Sequence, residues 1–226
     1  MNPTAAVLFT GGEASRAEDL VGLSADALVI AADSGAVHAV ELGWRVDHLV
    51  GDFDSIPPGL LRQLAESGTT MQRHPVTKDQ TDLALALDVA LRSGVKRVTV
   101  VGGHGGRLDH LLANVLLLAA EDYSSLQIDA RMGAARVTIV RGRRSISGTA
   151  GDVVSLLALG GSARGVTTSA LLYRLHNATL SAGTSWAVSN EMTGNEAWIE
   201  VGDGVVAVVQ PGLRGPLLEL SRTTQS

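Results

Sequence analysis

The chain has 226 residues, 45% of them apolar and only 3% aromatic, with a formal net charge of −5. That is enough for one large domain or two modest ones, with a core built from Val, Leu, Ile and Ala rather than from rings. The acidic balance excludes a general nucleic-acid binder, which needs a basic footprint, and the lack of cysteine excludes disulfides, a thiolate nucleophile and Cys-ligated zinc. Lysine occurs only at Lys78 and Lys96, so arginine, whose planar fork suits phosphate, supplies the other positive charges. The first residues lack a basic stretch followed by a long apolar run, and residues 111–120 are too few to span a membrane. The expectation is a soluble, cytoplasmic protein.

Residues 5–10 are an apolar run ending at Gly11-Gly12. Such a run reads as a strand buried on both faces, as parallel sheets require. A helix is predicted over 13–20, a second buried strand over 27–32 closing on Asp33-Ser34-Gly35, and a helix over 36–42 ended by Gly43. A third strand, 48–50, leads into Gly51-Asp52-Phe53-Asp54-Ser55. Pro57-Pro58 opens a helix that runs to Ser67, because proline is tolerated in a first turn. A strand over 69–73 follows, then Lys78-Asp79-Gln80-Thr81-Asp82. The next helix carries Leu83, Leu87, Ala90 and Leu91 on one face. A strand over 98–101 enters Gly102-Gly103-His104-Gly105-Gly106-Arg107. An apolar helix over 108–120 and strands over 126–132 and 136–140 complete this half.

Alternating strands and helices imply a mostly parallel, Rossmann-like sheet flanked by helices. Ligands of such sheets bind at the carboxyl ends of the strands. Beyond Arg143 the pattern changes to short β runs, at 153–159, 163–167, 178–180, 186–189, 197–201 and 205–209, with no helical periodicity. This predicts a smaller all-β domain of sandwich or barrel type. The expected division is 1–143, 144–213, and a poorly ordered tail at 214–226.

The chemistry concentrates at the strand ends. Asp52 and Asp54 repel each other unless a cation holds them, and Mg²⁺ takes one or two carboxylates while substrate phosphates complete its shell. Alone, the same residues suit an ordinary turn. Asp79 and Asp82 share a helix start, where they either cap the helix or contact a cation or phosphate. The glycine-rich loop before Arg107 lets backbone approach a ligand and precedes a helix N-terminus, but it matches neither the dinucleotide fingerprint nor the Walker A pattern. Arg107 suits a phosphate and Asp109 suits a metal, whereas His110 and His104 are read as support or loop residues. In the second half, Val188-Ser189-Asn190-Glu191 reads as a hairpin turn or a polar contact. Trp186 and Trp198 are either core or stacking surfaces.

Taken in order, these motifs resemble the thiamine pyrophosphokinase (thiamin diphosphokinase) family. The resemblance rests on Ala32-Asp33-Ser34-Gly35, Gly51-Asp52-Phe53-Asp54-Ser55, Lys78-Asp79-Gln80-Thr81-Asp82 and Gly105-Gly106-Arg107-Leu108-Asp109-His110 with Asn114. It continues in Gly165-Val166-Thr167-Thr168, Leu172-Tyr173 and Val188-Ser189-Asn190-Glu191. The chain departs from the family pattern at Ser34, at Ala170-Leu171-Leu172 and at Ala187.

The resemblance implies transfer of pyrophosphoryl from ATP to the thiamine hydroxyl, giving AMP, with Mg²⁺ as cofactor. It implies an α/β catalytic domain, a β domain, and a homodimer with the thiamine site between protomers. Carried onto this sequence, Asp52, Asp54 and Asp82 hold the metal, with Arg107 and Asp109 completing the catalytic set. ATP falls to Asp33, Ser34, Gly35, Lys78, Asp79, Thr81, Gly105, Gly106 and Arg107, and thiamine to Ser189, Asn190 and Glu191. The alternatives are a pyrophosphokinase acting on another hydroxymethyl heterocycle, such as a pterin, and a non-catalytic thiamine or nucleotide sensor.

Overall fold

A computed structural model describes residues 3–14, 16–75, 77 and 79–212. Lys78 and the predicted tail lie outside them. The chain divides into two compact units: Met1–Leu118 with Ser125–Gly133, and Ala119–Ser124 with the chain from Ala134 onward.

The first unit contains β1 (Ala5–Phe9), β2 (Leu28–Ala32), β3 (His48–Gly51), β4 (Thr70–Arg73), β5 (Arg97–Val101) and β6 (Gln127–Met132). Their order is β4-β3-β2-β1-β5-β6, and every neighbouring pair is parallel. In β1, β2 and β3 every residue after the first is buried, which is why these strands read as unbroken apolar runs. β4 lies at the edge and is mostly exposed, as Thr-Met-Gln-Arg suggests.

Four helices connect these strands: α1 (Gly35–Glu41), α2 (Pro58–Glu66), α3 (Asp82–Arg92) and α4 (Leu108–Leu118). α3 packs on β2 and β3. Its core residues include Leu83, Leu87 and Ala90. Thr81 caps it, Oγ1 accepting the Ala84 N–H at 3.3 Å. Such a cap contributes about 1 kcal/mol. α4 fully buries only Leu118 despite its apolar sequence. The helix predicted over 13–20 shrinks to one 3₁₀ turn, Ala17–Leu20. The reason is tertiary: the Glu13 N–H donates to the His104 carbonyl at 2.8 Å, which draws the chain along the glycine loop.

Chain order and strand order differ in a way that creates a site. From β1 the chain steps outward through β2, β3 and β4, then returns to place β5 on the other side of β1. The strand order therefore reverses at β1, and the loops after β1 and β5 lie side by side at the carboxyl edge, where Gly103 N donates to the Gly11 carbonyl at 2.8 Å.

The second unit contains β7 (Ala135–Val140), β8 (Arg143–Ser147), β9 (Val153–Ser169), β10 (Ala178–Leu180), β11 (Asn190–Glu191), β12 (Glu196–Glu200) and β13 (Asp203–Gln210). The order is β7-β13-β9-β12-β8, with β10 and β11 also on β9, and the pairs are antiparallel. Pairing over the whole chain is thus mixed. The runs predicted at 153–159 and 163–167 are one 17-residue strand that continues through Gly160-Gly161. The strand predicted at 186–189 is a turn, because Ser189 adopts φ 60 and breaks the extended run just before β11. Leu156, Val166, Leu171, Leu180, Ile199 and Val206 lie in this unit's core.

Candidate active site

A cavity of about 490 Å³ occupies the crevice, lined by the ends of β1, β2 and β3, the glycine loop after β5, and the first turns of α3 and α4. Of the residues predicted for ATP or metal, Asp33, Ser34, Asp52, Thr81, Asp82, Gly105, Gly106 and Arg107 line it. Gly35 is buried at the start of α1. Asp54, Asp79 and Asp109 stand outside the lining.

The β2 and β3 tips form an acidic centre. Asp33, Asp52 and Asp54 each present a carboxylate oxygen, and these oxygens lie within 4.8 Å of one another. The backbone is bent to achieve this: Asp33 has φ 47 and Phe53 has φ 69, both left-handed. For a bulky Phe that conformation costs of order 1–3 kcal/mol and persists only under outside constraint. The constraint is visible, since Phe53 is 4% exposed. The Arg73 guanidinium carbon also stands 4.8 Å from its ring centre. Gly51 permits the approach: a β-carbon there would stand 3.1 Å from that of Asp33.

The electrostatics fit a cation. Asp54 shares a hydrogen bond with Asp52 and feels its charge, and lesser contributions from burial, Asp33 and Asp82 act the same way, raising its carboxyl above the ordinary value. Ser55 Oγ donates to Asp33 Oδ2. Among the described residues Asp33 Oδ1 is buried without a hydrogen-bond partner. A buried, unpaired carboxylate oxygen beside two more carboxylates is the donor set a hard divalent cation satisfies. The family resemblance assigns Asp33 to ATP and Asp82 to the metal. The structure groups Asp33 with Asp52 and Asp54, and Asp82 stands at the α3 start and acts on Asp54 through charge. The signal for Asp33 was present, since it ends a strand beside the one ending at Asp52.

Arg107, on the same lining, and Asp109 face each other as two forks. Nε donates to Oδ1 at 3.1 Å and Nη2 to Oδ2 at 2.5 Å. The guanidinium holds the Asp109 carboxyl down at about 2. Asp109 in turn raises the arginine. Both side chains are exposed, so each remains accessible to a ligand. Asn114 Nδ2 donates to the Gly103 carbonyl at 3.2 Å, tying α4 to the glycine loop.

The predicted thiamine residues lie in the second unit. Asn190 is 3% exposed. Its Nδ2 donates to the Tyr173 carbonyl at 2.7 Å, and its Oδ1 accepts the N–H groups of Tyr173 at 3.0 Å and Glu191 at 2.9 Å. Its amide therefore holds the loop rather than facing outward. Ser189 and Glu191 are half-buried. Close to them in the chain or through this clamp, Leu172, Tyr173, Trp186 and Val188 are exposed. Trp198 is half-buried beneath Arg143, whose guanidinium carbon is 4.1 Å from its ring centre. The sequence did not separate the two tryptophans, because both alternate with polar neighbours.

Two family models match the chain: the thiamin pyrophosphokinase catalytic domain over residues 22–129, and the thiamin pyrophosphokinase vitamin B1 binding domain over 138–206. A thiamine pyrophosphokinase of Bacillus subtilis is 26% identical over 206 residues, covering 90% of this chain and 96% of that protein. A crystal structure of thiamine pyrophosphokinase from Bacillus subtilis superposes with a TM-score of 0.79 at 24% identity, over 91% of this chain and 98% of that one. That of Geobacillus thermodenitrificans gives 0.76 at 25% identity, over 94% and 98%. The Candida albicans enzyme gives 0.74 at 18% identity, over 92% and 89%, which speaks to the fold alone.

Proposed function

This chain belongs to the thiamin pyrophosphokinase family, and from that premise we propose that it transfers the pyrophosphoryl group of ATP to the hydroxyl of thiamine, giving thiamine diphosphate and AMP. The observation that carries this reading is the single crevice in which an acidic centre faces a glycine loop and an arginine. The parallel pairings of the first unit support a Rossmann-like nucleotide layer, with ATP at its switch point.

Pyrophosphoryl transfer asks the protein for positioning and charge stabilisation more than for covalent chemistry. The thiamine oxygen attacks the β-phosphorus, the bond from that phosphorus to the α,β-bridging oxygen breaks, and AMP departs with that oxygen. Asp33, Asp52 and Asp54 would hold Mg²⁺, with Asp82 adding charge nearby. When bound, the metal neutralises charge on the phosphate oxygens. Backbone N–H groups of the glycine loop and the α4 N-terminus receive phosphate oxygens. Arg107 exchanges its fork from Asp109 to a phosphate. Asp109, released, is then free to orient the attacking hydroxyl or accept its proton.

In the second unit, Ser189 and Glu191 offer polar contacts to thiamine, and the exposed rings of Tyr173 and Trp186 offer stacking faces. Asn190 holds Tyr173 in place. The reading includes a homodimer, supported by Leu108, Leu112 and Leu116, which line one exposed face of α4. It also includes a cytoplasmic location, which fits the lack among the described residues of any helix long and apolar enough to cross a membrane.

The test is AMP formation by the purified protein with ATP, thiamine and Mg²⁺, each omitted in turn. AMP that depends on all three supports the reading. No AMP, or AMP with a hydroxymethyl pterin in place of thiamine, refutes it.

A further inference from the structure

The loop after β5, Gly-Gly-His-Gly-Gly, has one side chain in five residues. Four glycines leave it with more conformational freedom than any other residue type would. A loop that must meet phosphates with its backbone needs something to select one shape.

Part of that selection is backbone pairing. Gly103 N donates to the Gly11 carbonyl at 2.8 Å, Glu13 N to the His104 carbonyl at 2.8 Å, and Gly102 N to the Arg131 carbonyl at 3.0 Å. The rest involves His104 itself. Its side chain is 17% exposed, and Nε2 stands 3.8 Å from Glu13 Oε2, beyond a hydrogen bond. On another side the ring lies against Gly133, where a β-carbon would come within 2.8 Å of Nε2. Glu13 also crosses the loop at Gly105, where a β-carbon would sit 2.6 Å from its Oε1. Among the described residues His104 Nδ1 is buried without a hydrogen-bond partner, so the ring is held by shape rather than by its own hydrogen bonds.

We propose that His104 is a positioning residue for ATP: its imidazole, wedged between Glu13 and Gly133, fixes residues 102–106 in the conformation whose backbone receives the phosphates. This rests on the reading of that loop as the phosphate site. His104 acts through the loop and need not touch the nucleotide.

The experiment measures the dissociation constant of Mg·ATP by calorimetry without thiamine, together with the KM values for ATP and for thiamine. His104→Ala frees about one residue's worth of backbone, so the ATP constant is expected to rise about five- to thirtyfold. The thiamine KM is expected to stay within about twofold, a split that general loss of structure would not produce. Gly133→Ala pushes the ring from its far side and is expected to weaken ATP in the same direction. Once the ring is gone the added methyl no longer meets Nε2 and only its backbone strain at φ 60 remains, so the loss of ATP affinity in the double variant is expected to fall short of the sum. If His104→Ala does not fold, Gly133→Ala and the conservative His104→Gln, expected to keep most of the affinity, still test the wedge.

An unchanged ATP constant in the variants, a thiamine KM that rises in step with that for ATP, or additive losses in the double variant would overturn the role of His104. A wild-type protein that binds no Mg·ATP overturns the functional reading instead.

Discussion

Asp33→Asn is the sharpest probe of the acidic centre. The amide has nearly the same shape as the carboxylate and tolerates the left-handed backbone that Asp33 adopts, so the fold should survive. What goes is one negative charge among three oxygens lying within 4.8 Å. Taking that oxygen spacing as an outer limit for the distance from carboxylate to cation, a water-like dielectric gives an attraction to a divalent ion of about 1.7 kcal/mol, about twentyfold in affinity. A lower effective dielectric makes the loss larger, so twentyfold is close to a minimum. The assays are Mn²⁺ binding by electron paramagnetic resonance, independent of turnover, and the Mg²⁺ concentration for half-maximal AMP formation. Both should move upward together, with the melting temperature little changed. Ser55→Ala, which removes the hydroxyl that orients Asp33, should give a partial version of the same shift, about tenfold. Mn²⁺ affinity of Asp33→Asn within twofold of wild type would refute the grouping of Asp33 with Asp52 and Asp54.

Three further outcomes are expected. In Arg107→Gln the Asp109 carboxyl loses the partner that holds it at about 2 and should titrate near the ordinary 3.8. The sign follows: the native contribution of this pair is present above pH 3.8 and is lost as pH falls toward about 2, so the variant should lack that acid limb. Carboxyl ¹³C shifts against pH would reveal it, and an unmoved Asp109 titration would disprove the pairing in solution. Asn190→Ala leaves the Tyr173 backbone groups and the Glu191 N–H unpaired, and should cost about 2 kcal/mol in urea unfolding. A loss below about 0.5 kcal/mol would mean that Asn190 does not clamp the loop. Leu112→Glu places a charge in the middle of the exposed leucine face of α4, and light scattering should then report a monomer. A dimer that persists in that variant uses another face.

Much of the first unit was legible because its causes are local. Unbroken apolar runs such as residues 28–32 have only the interior of a sheet to occupy. The spacing of Leu83, Leu87 and Ala90 produces the buried face of α3. The carboxylates, the glycines and Arg107 could be placed at strand ends for the same reason. The second unit was less legible. Its strands are short, and a glycine pair such as Gly160-Gly161 ends one strand as readily as it bends another.

What the sequence could not contain was the order of the strands. Only the return of β5 to the far side of β1 brings the glycine loop against residues 11–13, so that both line the same cavity. Only the pairing of β2 with β3 carries Asp33 to the side of Asp52 and Asp54, from a motif that reads as a nucleotide contact. Asn190, polar and part of a motif, reads as a ligand contact until its partners at Tyr173 are known. The sequence by itself determined which residue types stand at the ends of which elements, because propensity and burial pattern act over a few residues. The tertiary structure decided which of those ends meet, because that depends on packing between segments far apart in the chain.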